Sequence, residues 1–354
     1  MELEDGLKRT INWCQEQHHR ANLVEIVIVW DIWYKMKKKP LIKIMLGLAI
    51  SLILIIFIIK YISFGNVLNI ISSANSRDVL TAFILYLSSF IFRTLRWDII
   101  LTKLQNKNFF ELLSIILIGW GGNNILPARM GDFIRGYLLK SKKDVSFCYS
   151  FSTICLEKVF DGIVLIFFMM VIFLLFSLPQ WATKMSIIAT LIFIPLIIGF
   201  FIFNFKDKLF IKKLNLMPCD RLKCIIVTGL EGTYILKEGK RQYICWLYSI
   251  SVWLLELSVF YFAARSLTLE VPFYIIVLAL VSVNFGIIVP SAPGYIGTFE
   301  AFCALALTSY GIDVTSAIAY ALLVHGIQFL AVTPISIFLV VHNNISIKDI
   351  YSRP

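Results

Sequence analysis

Long hydrophobic runs alternate with short basic loops along this chain. Six runs predict helices that cross a membrane, at 44–62, 79–92, 146–178, 185–203, 243–264 and 315–341. A spanning helix needs about 20 mostly apolar residues, because it rises about 1.5 Å per residue through a hydrocarbon core about 30 Å thick. We therefore expect an all-α polytopic membrane protein with about six full spans.

Two further hydrophobic segments are interrupted before they could cross. The first break covers residues 119–132 and the second break covers residues 284–300, and both combine Asn, Pro and Gly with a carboxylate. Interrupted backbone survives at membrane depth only where it is buried in protein or lines a watery cavity. A matching pair in two halves of a chain points to the binding site of a transporter. The sequence therefore predicts two re-entrant helical hairpins and a site at their breaks.

Basic loops predict the orientation of these segments. Five lysines between residues 35 and 43 and the basic loop 206–241 place the N-terminus and that loop in the cytoplasm, and the C-terminus returns there. Basic clusters flank the first interrupted segment on both sides, whereas the second has none. One hairpin entering from each face is typical of an inverted-topology repeat. We expect a multi-pass protein of the cell membrane with both termini in the cytoplasm.

Composition supports a membrane protein and excludes several other classes. The chain of 354 residues is 59% hydrophobic and 16% charged, whereas soluble domains carry about 25% charged residues. The net charge of +11 lies in loops, so it favours orientation and contact with anionic lipid over nucleic-acid binding. The seven cysteines have no metal-ligand spacing, and the chain has no P-loop or nucleophile elbow. We expect no metal, no cofactor and, on balance, no enzyme.

The chain divides into three parts. Residues 1–35 form an extension that is either non-native or an interfacial segment, and 36–342 form the transmembrane domain. Residues 343–354 are a short cytoplasmic tail.

Charged residues follow the first break. Arg129, Asp132 and Arg135 come after Asn123, Asn124 and Pro127. Guanidinium groups suit the bidentate binding of phosphate, so these residues could form a clamp for an anionic headgroup. Alternatively, they are ordinary charges of the cytoplasmic face.

Two other groups of polar residues complete the candidate site. Glu157 and Asp161 lie four residues apart on one face of an apolar helix. Three roles are open: they balance the charge of Arg129 and Arg135 in the cavity, they carry protons that drive transport, or they form structural ion pairs with those arginines or with Lys158. The second break is either a binding site, where Gly lets the backbone approach a ligand closely, or a plain helix–loop–helix connection. Its candidate residues are Asn284, Pro290, Pro293, Gly294, Gly297 and Glu300.

Four polar residues receive a structural interpretation. We expect His325 and Gln328 to be satisfied helix-packing residues rather than proton relays. Arg93 and Arg96, with Trp97 beside them, are expected first to anchor a helix at the membrane interface and second to contact lipid headgroups.

These motifs resemble a known family. Residues 123–135 fit the pattern N-x-x-x-P-x-R-x-G-[ED]-x-x-R, residues 157–161 fit E-[RK]-x-x-D, and residues 290–300 fit P-x-x-P-G-x-x-G-x-x-E. The order of the three motifs is similar to the lysylphosphatidylglycerol synthase transmembrane, or flippase-like, domain over roughly residues 40–342. Asp132 stands where Glu is common, and His325 stands where Arg is more usual.

The resemblance implies a lipid translocator. In two-domain members the membrane part is associated with flipping an aminoacylated phospholipid made by a synthase domain, and we expect no such domain here. The leading hypothesis is a translocator that binds an anionic phospholipid or a polyprenyl-phosphate-linked lipid between the two hairpins. The alternative is a membrane enzyme or subunit in glycan assembly, and a structural scaffold is a third possibility. Each of these hypotheses is compatible with a homodimer, or with a partner protein that is a synthase or a glycosyltransferase.

Overall fold

The computed structural model describes residues 64–143, 145–205, 232–233, 235, 238–288, 291–343 and 345. The predicted first span at 44–62, the extension 1–35, most of the basic loop 206–241 and nearly all of the tail lie outside the described residues.

Ten α-helices and two 3₁₀ turns make up the described part of the chain, which contains no strand. The turns are Pro127–Arg129 and Pro293–Tyr295. The helices are α1 Phe64–Ser72, α2 Ser76–Ile100, α3 Phe109–Ile125, α4 Met130–Lys143, α5 Phe147–Leu175, α6 Gln180–Phe205, α7 Gly239–Ser266, α8 Phe273–Gly286, α9 Thr298–Thr308 and α10 Val314–His342.

Four of these helices, α2, α5, α7 and α10, are long and apolar enough to cross a membrane. Their outer faces expose large apolar side chains such as Leu174 and Phe338, as contact with lipid requires. The prediction of an all-α polytopic membrane protein is thereby confirmed. Helix α6 contains the predicted span 185–203, and the total number of spans stays a prediction.

Helix α2 is longer than the pattern predicts. The expected span stops at residue 92, before Arg93, whereas the helix continues to Ile100. The difference arises because Arg93 and Arg96 do not leave the apolar region: both are buried.

Each break lies between two helices that pack against each other. Helices α3 and α4 flank the first break, α8 and α9 flank the second, and α10 packs against both α3 and α9. In the first hairpin, a Cβ at Gly131 would lie 1.8 Å from the carbonyl oxygen of Gly119. Only glycine allows this approach, so Gly131 sets the distance between α3 and α4.

The ends of the hairpin arms follow from local chemistry. The side chain of Asn108 accepts a hydrogen bond from the backbone N–H of Phe110 and so caps the start of α3. Leu126 has extended backbone angles, and Pro127 after it starts a 3₁₀ turn instead of continuing α3. In the second break, Gly294 and Gly297 have φ angles of 66° and 87°, which favour glycine.

Candidate functional site

The two breaks lie against each other in the folded chain. Arg129 Nη2 donates a hydrogen bond to the backbone carbonyl of Ile287 at 3.3 Å, and its guanidinium carbon lies 5.6 Å from the centroid of the Tyr295 ring. A Cβ at Gly294 would lie 2.9 Å from the carbonyl oxygen of Asn124. The sequence predicts one site at each break, and the fold makes them neighbours.

Arg129 is a cation at the junction, which is the contact between the two breaks. It is partly exposed, and its φ angle of 54° is unusual for a residue with a side chain. Within the described ranges, no carboxylate forms an ion pair with it, and its hydrogen-bond acceptor there is the neutral carbonyl of Ile287. The arrangement therefore leaves this guanidinium without charge compensation from the described residues.

Asp132 follows Arg129 by three positions in the chain and has two weak partners among the described residues. Asn123 Nδ2 donates to its Oδ1 at 3.3 Å, and Lys158 Nζ lies 3.8 Å from the same oxygen. The Lys158 ammonium also lies 5.4 Å from the centroid of the Trp120 ring. Because 39% of the Lys158 side chain is exposed, this lysine belongs to the accessible part of the junction.

Several predicted residues of the breaks have local structural roles. Asn124 Nδ2 donates to Thr333 Oγ1 on α10 at 3.0 Å, which ties the first break to that helix. Asn284 Nδ2 donates to the Leu280 carbonyl within its own helix at 2.9 Å. Pro127 and Pro293 each start a 3₁₀ turn. Pro290 lies outside the described residues.

Glu300 holds the second break together. One carboxylate oxygen accepts from the backbone N–H of Gly297 at 2.7 Å, and the other lies 2.6 Å from His325 Nδ1. The His325 ring stacks on Phe299 with the centroids 4.4 Å apart. This carboxylate is a buried capping group and His325 has a satisfied ring nitrogen, while the expectation that His325 is not a proton relay stays a prediction.

Three close ion pairs lie inside the helix bundle among the described residues, and a longer contact of 3.8 Å links Arg96 to Glu157. Arg135 Nη1 lies 2.5 Å from Glu157, while Arg96 Nη1 and Arg93 Nη2 each lie 2.7 Å from a carboxylate oxygen of another helix. The pairs join α2, α4, α5 and α7. They are Arg135–Glu157, Arg96–Asp161 and Arg93–Glu256.

These pairs show the partners of three candidate residues. Glu157 and Asp161 form ion pairs with Arg135 and Arg96, and Arg135 is buried, while the substrate-binding roles of the three stay predictions. The expectation that Arg93 and Arg96 anchor a helix at the interface is wrong, because each compensates a carboxylate inside the helix bundle. An isolated charge there would cost several kcal/mol, about 2.5–3.5 on insertion scales.

Aromatic rings and neutral polar groups complete the environment of these pairs. The guanidinium carbon of Arg135 lies 3.8 Å from the centroid of the Trp97 ring, and that of Arg93 lies 4.4 Å from Trp120. Trp253 Nε1 donates to Asp161 at 3.1 Å, and Gln328 Nε2 donates to Glu256 at 3.0 Å. The prediction for Gln328 is thereby confirmed.

One edge of the Arg135 guanidinium has no acceptor. Its Nε and Nη2 atoms are buried and find no hydrogen-bond partner in the described part of the chain. Both nitrogens lie on one edge of the guanidinium, and an oxyanion can bind to such an edge through two parallel hydrogen bonds.

Sequence reasoning missed Tyr295 and Glu256 as members of this region, and it named Lys158 only as a possible partner of Glu157 or Asp161. Glu256 is an acid within an apolar helix, so it carried a usable signal. Tyr295 carried none, because its role depends on the contact between the breaks.

No group of three or more His, Cys, Asp or Glu side chains that could hold a metal ion occurs among the described residues.

Comparison with known proteins identifies the family. The model of the lysylphosphatidylglycerol synthase TM region matches residues 44–336, which include both breaks and all three buried ion pairs. The chain belongs to this family. The resemblance inferred from the three motifs is therefore confirmed.

The chain is also similar to UPF0104 membrane proteins and to a protein named as a glycosyltransferase. A UPF0104 membrane protein of Methanocaldococcus jannaschii, MJ1078, is 28% identical over 63% of this chain and 95% of its own length. Another from Pyrococcus horikoshii, PH1989, is 22% identical over 84% of this chain and 96% of its own length. The protein named glycosyltransferase AglD, from Haloferax volcanii, is 25% identical over 43% of this chain, which spans only 26% of that relative. No solved structure matches.

Proposed function

We propose that this member of the lysylphosphatidylglycerol synthase TM family translocates a lipid or lipid-linked headgroup across the cell membrane. The anionic headgroup binds at the junction of the two breaks, with Arg129 as its principal contact. Both termini lie in the cytoplasm in this proposal, so the first break is reached from that side and the second from the outside.

The observation that carries this proposal is that the charge of Arg129 is not compensated by any described carboxylate. Arg93, Arg96 and Arg135 each have a carboxylate partner, whereas Arg129 has none among the described residues. A guanidinium at membrane depth without a compensating charge is costly. An anionic headgroup would supply that charge.

The contact between the breaks suggests how binding and movement are linked. A phosphate oxygen is a stronger acceptor for a guanidinium than a peptide carbonyl, because both partners are charged. Phosphate at Arg129 would therefore replace the bond to Ile287, which joins the two breaks in this structure. Loss of that bond frees one hairpin from the other and gives access from one side at a time.

Arg135 supplies a second contact in this proposal. Its Nε and Nη2 donors are buried and unpartnered in the described residues, and it lies on the same helix as Asp132. Displacement of the first hairpin would expose this edge to a headgroup already held by Arg129.

A second candidate function is action on a polyprenyl-phosphate-linked substrate in glycan assembly, as an enzyme or enzyme subunit. The relative whose name is glycosyltransferase AglD favours it. The same anion contacts would then hold the phosphate of the carrier lipid while a partner protein performs the transfer.

Translocation can be measured in proteoliposomes that contain fluorescent NBD-phosphatidylglycerol, whose outer-leaflet fraction is bleached by dithionite. We expect the purified protein to accelerate movement between leaflets. Arg129→Ala should reduce this rate by about tenfold or more, because a charged hydrogen bond contributes about 1.5–3 kcal/mol.

The matched control is Arg241→Ala. Arg241 is 53% exposed and, among the described residues, pairs with Glu238 on the neighbouring turn, so its loss should leave the rate unchanged. Full activity in well-folded Arg129→Ala protein would contradict the proposed role of Arg129. Equal loss in both variants would show that general positive charge, and not the junction, determines the rate.

A further inference from the structure

Three residues other than glycine have left-handed backbone angles in the part of the chain that the structure describes. They are Arg129, Thr268 and Tyr295, with φ angles of 54°, 52° and 61°. Residues with a side chain rarely adopt this region, because their Cβ crowds the following carbonyl oxygen. Each of the three therefore has either a local reason for its conformation or neighbours that hold it there.

Thr268 has a local reason. It follows the end of α7, and its backbone N–H donates a hydrogen bond to the Arg265 carbonyl at 3.0 Å, while the N–H of Leu269 donates to the Ala264 carbonyl at 3.1 Å. A left-handed residue with these two bonds is a common end of a helix, because it satisfies carbonyls that the helix leaves free. The strain at Thr268 is thus offset within its own turn.

Arg129 and Tyr295 have no such role. Each is the last residue of a 3₁₀ turn inside one of the two breaks, Pro127–Arg129 and Pro293–Tyr295. Helix α3 has already ended at Ile125, and α4 begins directly after Arg129. Neither residue therefore satisfies the free carbonyls of an α-helix end.

The strained residue of each break lies against the other break. The guanidinium carbon of Arg129 lies 5.6 Å from the centroid of the Tyr295 ring, and Arg129 Nη2 donates to the Ile287 carbonyl at 3.3 Å. Gly294, which precedes Tyr295, is also left-handed, and a Cβ there would lie 2.9 Å from the Asn124 carbonyl oxygen. The left-handed segments are therefore part of the contact that joins the breaks.

We infer that the junction is a strained latch, in which contact between the breaks holds Arg129 and Tyr295 in the left-handed region. Separation of the breaks lets both residues relax to negative φ angles. The hydrogen bond from Arg129 and the strain of two left-handed residues are of the same order. The closed junction is therefore poised, so a small change at Arg129 shifts it toward the open form.

The role of this latch in transport rests on the proposed function and concerns the regulation of the same site. A headgroup phosphate at Arg129 would remove the bond to Ile287, and relaxation of the strain would then separate the breaks. Tyr295 acts in this scheme as a positioning residue, because it affects the junction through its backbone and its contact with Arg129.

Alanine and glycine at position 295 separate the strain from the ring. Both substitutions remove the Tyr295 ring, but only Gly adopts the left-handed region without strain. Amide hydrogen exchange of the full chain in detergent, followed by mass spectrometry, reports opening at residues 119–132, away from the substituted position. We expect exchange there to be about threefold slower in Tyr295→Gly than in Tyr295→Ala, because relief of strain outweighs the flexibility that Gly adds to the open form.

Two further comparisons support this measurement. Tyr295→Asn should resemble Tyr295→Gly, because Asn tolerates the left-handed region without the added flexibility of Gly. Thr268→Gly and Thr268→Ala are the matched control pair: the φ angle is similar, but the residue lies at the end of α7, away from the breaks. These two variants should show equal exchange at residues 119–132.

The latch is contradicted if exchange at residues 119–132 is equal in Tyr295→Gly and Tyr295→Ala, or faster in Tyr295→Gly. A difference of the same size between the two Thr268 variants would also overturn it, because the effect would then be a general one of glycine. Lipid movement in Arg129→Ala separates the two proposals. Loss of movement without an exchange difference at position 295 rejects only the latch, whereas full movement with that difference rejects only the proposed function.

Discussion

At the scale of single residues, charge inside the helix bundle is organised in pairs. Arg93 and Glu256 come from α2 and α7, lie 2.7 Å apart and are each almost completely buried. The pair gains Coulomb energy in a medium of low dielectric constant, but each partner has lost its hydration. Removal of one partner therefore lowers the free energy of unfolding more than replacement of both partners does.

This asymmetry gives a prediction about stability. Arg93→Met should lower the free energy of unfolding by about 3–5 kcal/mol, because it leaves the Glu256 carboxylate buried without a counter-charge. Denaturation of the purified protein in detergent measures the change.

The double variant Arg93→Met/Glu256→Met is the control. It replaces the pair with apolar side chains and should regain most of the lost stability. Equal or greater destabilisation in the double variant would show that Arg93 contributes through packing on Trp120 and not through its charge.

Sequence reasoning identified the charged residues but not all of their partners. Glu157 and Asp161 are expected to pair with Arg129, Arg135 or Lys158. Arg135–Glu157 matches this expectation, whereas Asp161 pairs with Arg96, and Arg129 pairs with neither acid among the described residues. Arg93 could not be assigned, because Glu256 lies 163 positions away in the chain. An arginine near the end of an apolar run has the same local pattern whether it anchors a helix at the interface or is buried.

At the scale of helices, local chemistry determined the boundaries well. The sequence predicts a span over 315–341, and α10 covers Val314–His342; it predicts a span over 146–178, and α5 covers Phe147–Leu175. Asp313 and Ser146 cap the starts of these two helices, and such effects act within a few residues.

The first hairpin depends on close contact between its arms. Gly131→Ala should lower the free energy of unfolding by about 1–3 kcal/mol, because the new Cβ would lie 1.8 Å from the Gly119 carbonyl oxygen. The substitution should also slow lipid movement, because the two arms, α3 and α4, flank the first break. Thermal unfolding and the dithionite assay measure the two effects.

Gly326→Ala serves as the control for this substitution. Gly326 lies within α10, and a Cβ there meets nothing within 4 Å. Alanine at this position should stabilise the helix by about 0.5–1 kcal/mol. Similar destabilisation of both variants would show that close packing at Gly131 is not the cause.

At the scale of the whole molecule, the central feature is the contact between the two breaks. The sequence predicted each break from its Asn, Pro and Gly content, but the pairing of α3 with α10 and the approach of Gly294 to Asn124 depend on tertiary packing. The positions of four spans could be predicted from hydropathy. The inverted repeat, the two entry faces and the substrate-binding roles of the break residues stay predictions.

The central claim is that an anionic lipid binds at this junction through Arg129. Native mass spectrometry of gently purified protein tests it most directly, with the unaltered chain, Arg129→Ala and the Arg241→Ala control prepared in parallel. We predict one co-purifying anionic lipid in the unaltered and Arg241→Ala proteins and its loss in Arg129→Ala. The same lipid at the same occupancy in all three, or no specific lipid in any of them, would contradict the claim.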